Sequence, residues 1–214
     1  MSNRKTIITI GRQFGSGGHE IGATIAQDLK IKLYDKDILK RAAKESGICE
    51  ELFEAHDETT SRSFLYSLIM DHHAFGRTYS PDAGLPLNHK LFLEQFNTIK
   101  NIASEESAVI VGRCADYALA DNPDVINVFI YADLEKRIRR IARIYNLTDK
   151  NAKEIIIKND KQRASYYNYY TNKTWGDAKS YHLCIDSGKF GIGGTAKMIE
   201  DYVKLRDKIE NARI

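Results

Sequence analysis

The pattern of apolar and polar positions predicts strands and helices that alternate from the start of the chain. A β-branched run at Thr6–Ile10 predicts a buried strand, and it leads into the glycine cluster Gly15–Gly18. From His19 to Leu29, apolar residues recur at four-residue spacing, as they do in an amphipathic helix. The chain therefore opens with a strand, a glycine loop and a helix.

The same alternation continues to the end of the chain. Further strands are predicted at Ile31–Tyr34, Ala108–Val111, Val125–Tyr131 and Leu183–Ile185. Further helices are predicted at Ile38–Lys44, Glu50–His56, Leu91–Ala103, Leu134–Tyr145, Ala152–Tyr170 and Thr195–Ile209. Between them, the glycines and prolines of His73–Asn88 predict an irregular insert. Strands that alternate with helices predict a three-layer α/β fold with a central parallel sheet, in a single domain.

Composition narrows the class of protein without naming a function. The chain has 214 residues, of which 43% are hydrophobic and 29% charged, as in ordinary globular proteins. A net charge of +3 is too small to predict a nucleic-acid surface, and no apolar stretch approaches the roughly 20 residues that span a bilayer. The three cysteines lie far apart without paired spacing, which favours a reducing compartment. We therefore expect a cytoplasmic protein with no nucleic-acid or membrane partner.

The glycine loop is the first candidate for chemistry. Backbone N–H groups and the helix dipole point to the same place where a strand turns into a helix, and this arrangement suits a phosphate group. Glycines are needed there because Cβ atoms would block the approach of phosphate oxygens. Gly15, Gly17 and Gly18 would form this loop, and Ser16 would add a hydroxyl.

Two other interpretations of the loop stay open. A dinucleotide-binding fingerprint needs a third glycine where Glu20 stands, although Asp35 lies at the distance expected of its ribose-binding acid. A turn without any ligand is the second alternative.

Five short motifs, taken in order, resemble those of one family. The run Ile10–His19 resembles the phosphate loop of cytidylate kinases and, more closely, that of the cytidylate kinase-like family with its Gly-Arg-Gln loop. Tyr34–Arg41 is similar to the acceptor-binding segment of those kinases, and Val111–Arg113 is similar to their strand-terminal Gly-Arg. Asp160–Arg163 is similar to their lid, and Asp186–Ser187 to the end of their last strand. The resemblance implies a P-loop kinase that uses ATP and Mg²⁺, with CMP or dCMP as acceptor.

The resemblance also implies where the substrates bind. The ATP phosphates are expected at Gly11, Gly15, Ser16, Gly17, Gly18 and His19. The acceptor is expected at Asp35, Arg41, Gly112, Arg113 and Asp160, with an acceptor-binding insert at residues 36–105 and a lid at residues 146–180. Arg41 and Arg113 follow two strand ends, so both are expected at the carboxyl edge of the sheet, where they would hold the acceptor phosphate by forked hydrogen bonds.

The phosphate loop departs from the usual pattern at two positions. A standard loop ends in Gly-Lys-Ser/Thr, but Gly18 stands at the lysine position and no Ser or Thr follows it. The acid that usually precedes Gly-Arg is replaced by Val111. We expect Arg12 to replace the missing lysine charge, although a salt bridge at the sheet edge would equally explain it. The sequence leaves the Mg²⁺ ligands unassigned.

Arginines from the lid region are candidates for neutralising the transferring phosphoryl group. These are Arg137, Arg140 and Arg163, and Asp160 is expected to orient Arg163 or to bind the acceptor base. In the helix Leu134–Tyr145 we expect four apolar residues inward and the arginines on another face; the four are Leu134, Ile138, Ile141 and Tyr145. The tyrosines of Tyr166–Tyr170 are expected to pack within the lid or at a homodimer contact. A kinase of another small acceptor and a nucleotide-binding regulator without turnover remain alternatives.

Overall fold

The computed structural model describes residues 5–58 and 86–212. Its centre is a five-stranded sheet in the order β2-β3-β1-β4-β5, in which every neighbouring pair is parallel. The strands are β1 (Ile7–Arg12), β2 (Lys32–Tyr34), β3 (Ala108–Val111), β4 (Val125–Tyr131) and β5 (Leu183–Asp186). The predicted parallel sheet is confirmed.

Helices follow the strands as the sequence pattern indicates. In chain order they are α1 (Gly18–Leu29), α2 (Asp37–Ser46), α3 (Glu50–Ala55), α4 (Leu87–Glu105), α5 (Ala115–Ala118), α6 (Leu134–Tyr145), α7 (Asp149–Thr171) and α8 (Ser187–Asn211). A 3₁₀ turn at Ala178–Ser180 precedes β5. No helix in the part of the chain that the structure describes is long and apolar enough to cross a bilayer.

The sheet is covered on both faces, which makes three layers. Ile8 and Ile10 of β1 belong to one buried cluster with residues of α1 and α8. Ile7 belongs to a second cluster on the opposite face, with residues of α2, α4 and α5. Successive side chains of a strand point to opposite faces, so one β-branched run fills both cores.

Two helices begin at least four residues earlier than the sequence pattern predicts. Helix α4 begins at Leu87, directly after its N-cap Pro86, because proline fits at the start of a helix as well as in a loop. Helix α8 begins at Ser187 with a break at Gly191, whose φ of 66° is non-helical. The short helix α5 was not predicted, and residues 59–85 of the predicted insert lie outside the described residues.

The carboxyl edge of the sheet carries the features that concern function. Strand β1 lies between β3 and β4, so the glycine loop leaves from the middle of this edge. Beside it, β3 is followed by three consecutive residues with left-handed backbone, Gly112, Arg113 and Cys114, at φ of 78°, 55° and 56°. Such a run is rare for residues other than glycine and is found mainly at functional sites.

Candidate functional site

The glycine loop between β1 and α1 is held at its base by hydrogen bonds of Gln13. The N–H of Gln13 donates to Ile130 O at 3.0 Å, and its side-chain oxygen accepts the N–H of Ala132 at 3.2 Å. Gly15 and Gly17 have φ of 81° and 83°, a conformation that L side chains rarely adopt. The loop is therefore anchored to β4 while its tip has the backbone that only glycine takes without strain.

The N-terminus of α1 directs free N–H groups into this loop. Gly17 is the N-cap, and it has no side-chain cap. The first N–H to bond within the helix is that of Ile21, which donates to Gly17 O at 2.9 Å. Nothing in the described part of the protein accepts the N–H groups of Gly18 and His19. These donors and the positive end of the helix dipole form a site for an anion.

Arg137 and Asp160 hold the glycine loop in place by hydrogen bonds. Asp160 accepts the N–H of Phe14 at 2.7 Å and an N–H of Arg137 at 2.6 Å. Arg137 is 7% exposed and also donates to Ala132 O and Phe14 O. Each carboxylate oxygen of Asp160 thus accepts one hydrogen bond, from the loop or from Arg137, and its negative charge also favours the charged form of the nearby Arg163. The expected roles of Asp160, to orient Arg163 or to bind the acceptor base, stay predictions.

The expected faces of α6 are correct only in part. Ile141 is buried, and Leu134 and Ile138 pack against it. Tyr145, which was expected inward, is 57% exposed, and Arg137 lies on the buried side instead. The helix packs against α7 near the loop rather than against the sheet, and the partly buried carboxylate of Asp160 on α7 pairs with the Arg137 guanidinium there.

Three arginines and three carboxylates meet where β1 and β3 end. Glu58 lies at the centre: it accepts an N–H of Arg12 at 2.6 Å, one of Arg163 at 3.1 Å and the backbone N–H of Arg113 at 3.1 Å. The Arg113 guanidinium in turn binds Asp35 at 2.8 Å and Asp57 at 2.9 Å. The ion pairs bring together Arg12, Arg113, Arg163 and Asp35 from the sequence prediction.

Asp57 and Glu58 were missed by the sequence analysis. They follow α3 within the predicted insertion and match no motif, so nothing local marks them. Burial disfavours the charge of Glu58, but the attraction of Arg12 and Arg163 outweighs it and holds the pKa of Glu58 far below its usual range. For Asp57 burial dominates and raises the pKa of the carboxyl. The cluster therefore contains one firmly ionised carboxylate between two guanidinium groups.

The side chain of Arg12 fills the space that a lysine at position 18 would need. A Cβ added to Gly18 would lie 2.5 Å from Arg12 Cβ and 2.8 Å from Arg12 Cγ. A Cβ on Gly112 would likewise collide with Arg12 Nη1. The two glycines thus leave a path along which Arg12 reaches the carboxyl edge from β1.

Arg41 lies apart from this cluster. Its guanidinium binds Glu45 and Glu105, each at 2.6 Å. Glu105 ends α4 just before β3 begins, so these partners hold the Arg41 guanidinium toward the amino end of the strands. The expectation that Arg41 lies at the carboxyl edge beside the loop is wrong, because α2 runs back along the sheet from that edge.

His19 and the tyrosines of α7 occupy defined places. His19 Nδ1 lies 2.7 Å from Asp35 Oδ2, on the side of Asp35 opposite Arg113. Tyr166 and Tyr167 are buried, and the ring of Tyr170 stacks on Phe92 with centroids 4.0 Å apart. These rings pack α7 against α4, which lies in the expected insert rather than in the lid.

Two open cavities lie on either side of the glycine loop. One, of about 410 Å³, is bounded by the loop, the start of α8 and the basic side chains of α6, among them Lys136, Arg139, Arg140 and Arg143. The other, of about 300 Å³, is lined by the loop with Arg12, His19, Asp35 and Arg163. Arg140 borders both and pairs with Glu20 at 2.5 Å. The arrangement can hold two ligands that meet at the loop.

Comparisons with known proteins find relatives along nearly the whole chain. The model of the cytidylate kinase-like family matches residues 7–189. The crystal structure of an uncharacterized protein from Eubacterium ventriosum ATCC 27560 is 31% identical, with a TM-score of 0.69 over 94% of this chain and 99% of that one. Shikimate kinase from Bacteroides thetaiotaomicron shares the fold at 14% identity and a TM-score of 0.51, over 93% and 98% of the two chains. No curated protein matches the sequence.

Proposed function

The chain belongs to the cytidylate kinase-like family and has the fold of a P-loop kinase, and from this premise we propose that it transfers the γ-phosphate of ATP to a nucleoside monophosphate, CMP or dCMP. The observation that carries the proposal is the glycine loop, which separates two cavities and whose free N–H groups, on Gly18 and His19, lie at the smaller one. Phosphoryl transfer needs two substrates brought in line at such a site and little covalent chemistry from the protein.

The residues around the glycine loop fit a nucleoside triphosphate. The N–H groups of Gly18 and His19 would bind phosphate oxygens, and Arg140 lies at the boundary of the two cavities, where charge would develop. We propose the donor in the larger cavity, beside the basic face of α6, and the acceptor in the smaller one, near Asp35 and Arg163. Residues 36–105 and 146–180 would be the acceptor-binding insert and the lid.

Magnesium has no ready set of protein ligands here. Among residues 5–58 and 86–212, no group of three His, Cys, Asp or Glu side chains is placed to hold a metal ion. The carboxylates nearest the loop are engaged by arginines, and His19 follows Gly18 where a Ser or Thr usually stands. We expect Mg²⁺ to accompany ATP, bound to the phosphate oxygens of the nucleotide.

The proposed activity is tested by a coupled assay of ADP release over a panel of nucleoside monophosphates and small non-nucleotide acceptors. We expect turnover with CMP or dCMP above that with the other acceptors. Faster turnover of a non-nucleotide acceptor would show that the protein is a kinase of another small molecule. Tighter binding of NAD(H) than of ATP would favour a dinucleotide-binding protein instead.

A lysine introduced at position 18 is expected to impair transfer even though it restores the usual loop sequence. Gly18→Lys would push Arg12 aside, because the two side chains need the same space. We expect the single-turnover rate to fall at least about tenfold, whereas the double variant Arg12→Ala/Gly18→Lys should be faster than either single variant, since the lysine then supplies the charge. Additive effects of the two changes would show that Arg12 does not stand in for the lysine.

A further inference from the structure

The position of the Glu58 carboxylate is that of an anion bound at the acceptor side of the loop. Its partners come from three separate elements: Arg12 ends β1, the N–H of Arg113 follows β3, and Arg163 belongs to α7. Proteins usually bind a carboxylate or a phosphate in this way, with guanidinium groups and a backbone N–H that converge on one pair of oxygens. From this we propose, on the basis of the proposed function, that Glu58 occupies the subsite for a phosphate-monoester group of the acceptor and leaves it when the acceptor binds.

Charge balance requires that a carboxylate give way. The ion pairs of the cluster join three arginines to three carboxylates, so their formal charges cancel. A phosphate monoester would add about −1.5 to −2 charges at neutral pH, and such a charge is costly in a buried site without a compensating cation. Release of Glu58 from Arg12 and Arg163 would supply that compensation.

Space leads to the same conclusion. The cavity that borders Glu58, Gly112 and Arg163 has a volume of about 20 Å³, which holds no more than a water molecule. Two buried donors on its lining residues, Arg113 Nε and Tyr166 Oη, have no acceptor among the described residues. If the phosphate group of the acceptor substrate took the place of the Glu58 carboxylate, it would occupy the space that the side chain vacates. Its oxygens could then accept hydrogen bonds from these two donors.

The backbone of Glu58 supports a reversible contact. Its φ of 50° lies in the left-handed region, which a glutamate rarely adopts and which stores strain. Asp35 and Asp57, by contrast, pair with the Arg113 guanidinium, whereas Arg12 and Arg163 pair with Glu58. Glu58 is thus the carboxylate whose departure would open the subsite.

Titration with inorganic phosphate tests this proposal without any need for turnover. We expect Glu58→Gln and Glu58→Ala each to bind phosphate at least about tenfold more tightly than the wild type, because the internal competitor is gone. The gain should vanish when Arg163→Ala is added, which locates the ion. Glu54→Gln, an exposed position in α3, is the matched control and should leave the affinity unchanged.

Kinetics add a second readout where turnover is found. Both Glu58 variants should lower the acceptor KM about tenfold and leave the ATP KM unchanged. Unchanged or weaker phosphate binding in folded variants would overturn the proposal and make Glu58 a fixed counter-ion; so would failure of both variants to fold. A gain for malonate but not for phosphate would overturn the phosphate class. Phosphate binding is measured independently of phosphoryl transfer. If no acceptor in the panel were phosphorylated, the proposed kinase activity would be refuted, but tighter phosphate binding by the Glu58 variants would still support the subsite.

Discussion

Replacement of Arg163 by alanine is expected to slow phosphoryl transfer about 10²–10³-fold in a single turnover, with little change in ATP binding. The guanidinium lies on the lining of the acceptor-side cavity, donates to Arg12 O at 3.3 Å and reaches Glu58. Burial, followed by the nearby Arg12 charge, lowers the pKa of Arg163 but leaves it a cation at neutral pH. A cation held there beforehand would stabilise the charge that develops on the transferring group.

Two variants separate this role from a structural one. Arg163→Lys should also fail, because a single ammonium cannot bridge two oxygens as the planar guanidinium does. Lys161→Ala, exposed in the same helix, should transfer at the wild-type rate. If Arg163→Ala changes the ATP affinity as strongly as the rate, the arginine binds the donor in its ground state. If the wild type binds ATP yet transfers to no acceptor, a nucleotide-binding regulator becomes the better interpretation.

Replacement of Gly17 by valine is expected to abolish nucleotide binding, with a loss of affinity of at least about a hundredfold by calorimetry. The residue is the N-cap of α1 at φ of 83°, so a β-branched side chain is strained there by about 1–3 kcal/mol. Its Cβ would also collide with Ile192 Cδ1, in the segment that borders the larger cavity. The valine would thus fill the place where phosphate oxygens must approach.

The blockage can be distinguished from a general loss of structure. Gly193→Val is the matched control, since a Cβ there meets no atom within 4 Å. Removing the collision in Gly17→Val/Ile192→Ala should improve thermal stability but not ATP binding, because the valine still occupies the loop. Wild-type ATP affinity in a folded Gly17→Val protein would refute the phosphate-loop assignment.

The order and type of the main elements could be predicted because they follow from short-range pattern. Alternation in Thr6–Ile10 fixes which side chains enter each core, and the glycines that follow permit the positive φ that the loop needs. Both depend on residues a few positions apart. Errors arose where one residue type suits two local structures: Pro86 fits a loop or a helix start, and Gly191 sits at a break within a helix.

The partners of the charged side chains were decided only by the tertiary structure. The sequence indicated Arg12, Arg113 and Arg163 as cations of one site, and the fold brings them together at the carboxyl edge. It did not indicate that Glu58 binds between them, 105 residues from Arg163 along the chain. An ion pair forms wherever two opposite charges are buried within a few ångströms, and that distance depends on how whole helices pack.

Arg41 and Asp160 also show that the sequence pattern does not determine the partners of a charged side chain. Each was placed at the acceptor by motif and position after a strand or on the lid, yet Arg41 pairs with Glu45 and Glu105, and Asp160 supports the loop through Phe14 and Arg137. The sequence by itself determined the parallel sheet, the glycine loop and the supply of arginines, because backbone conformation and hydrophobic period are local. Only the tertiary packing of the helices around the carboxyl edge decided which of those charges face the site, because a long side chain bonds to whichever buried partner the fold brings within reach.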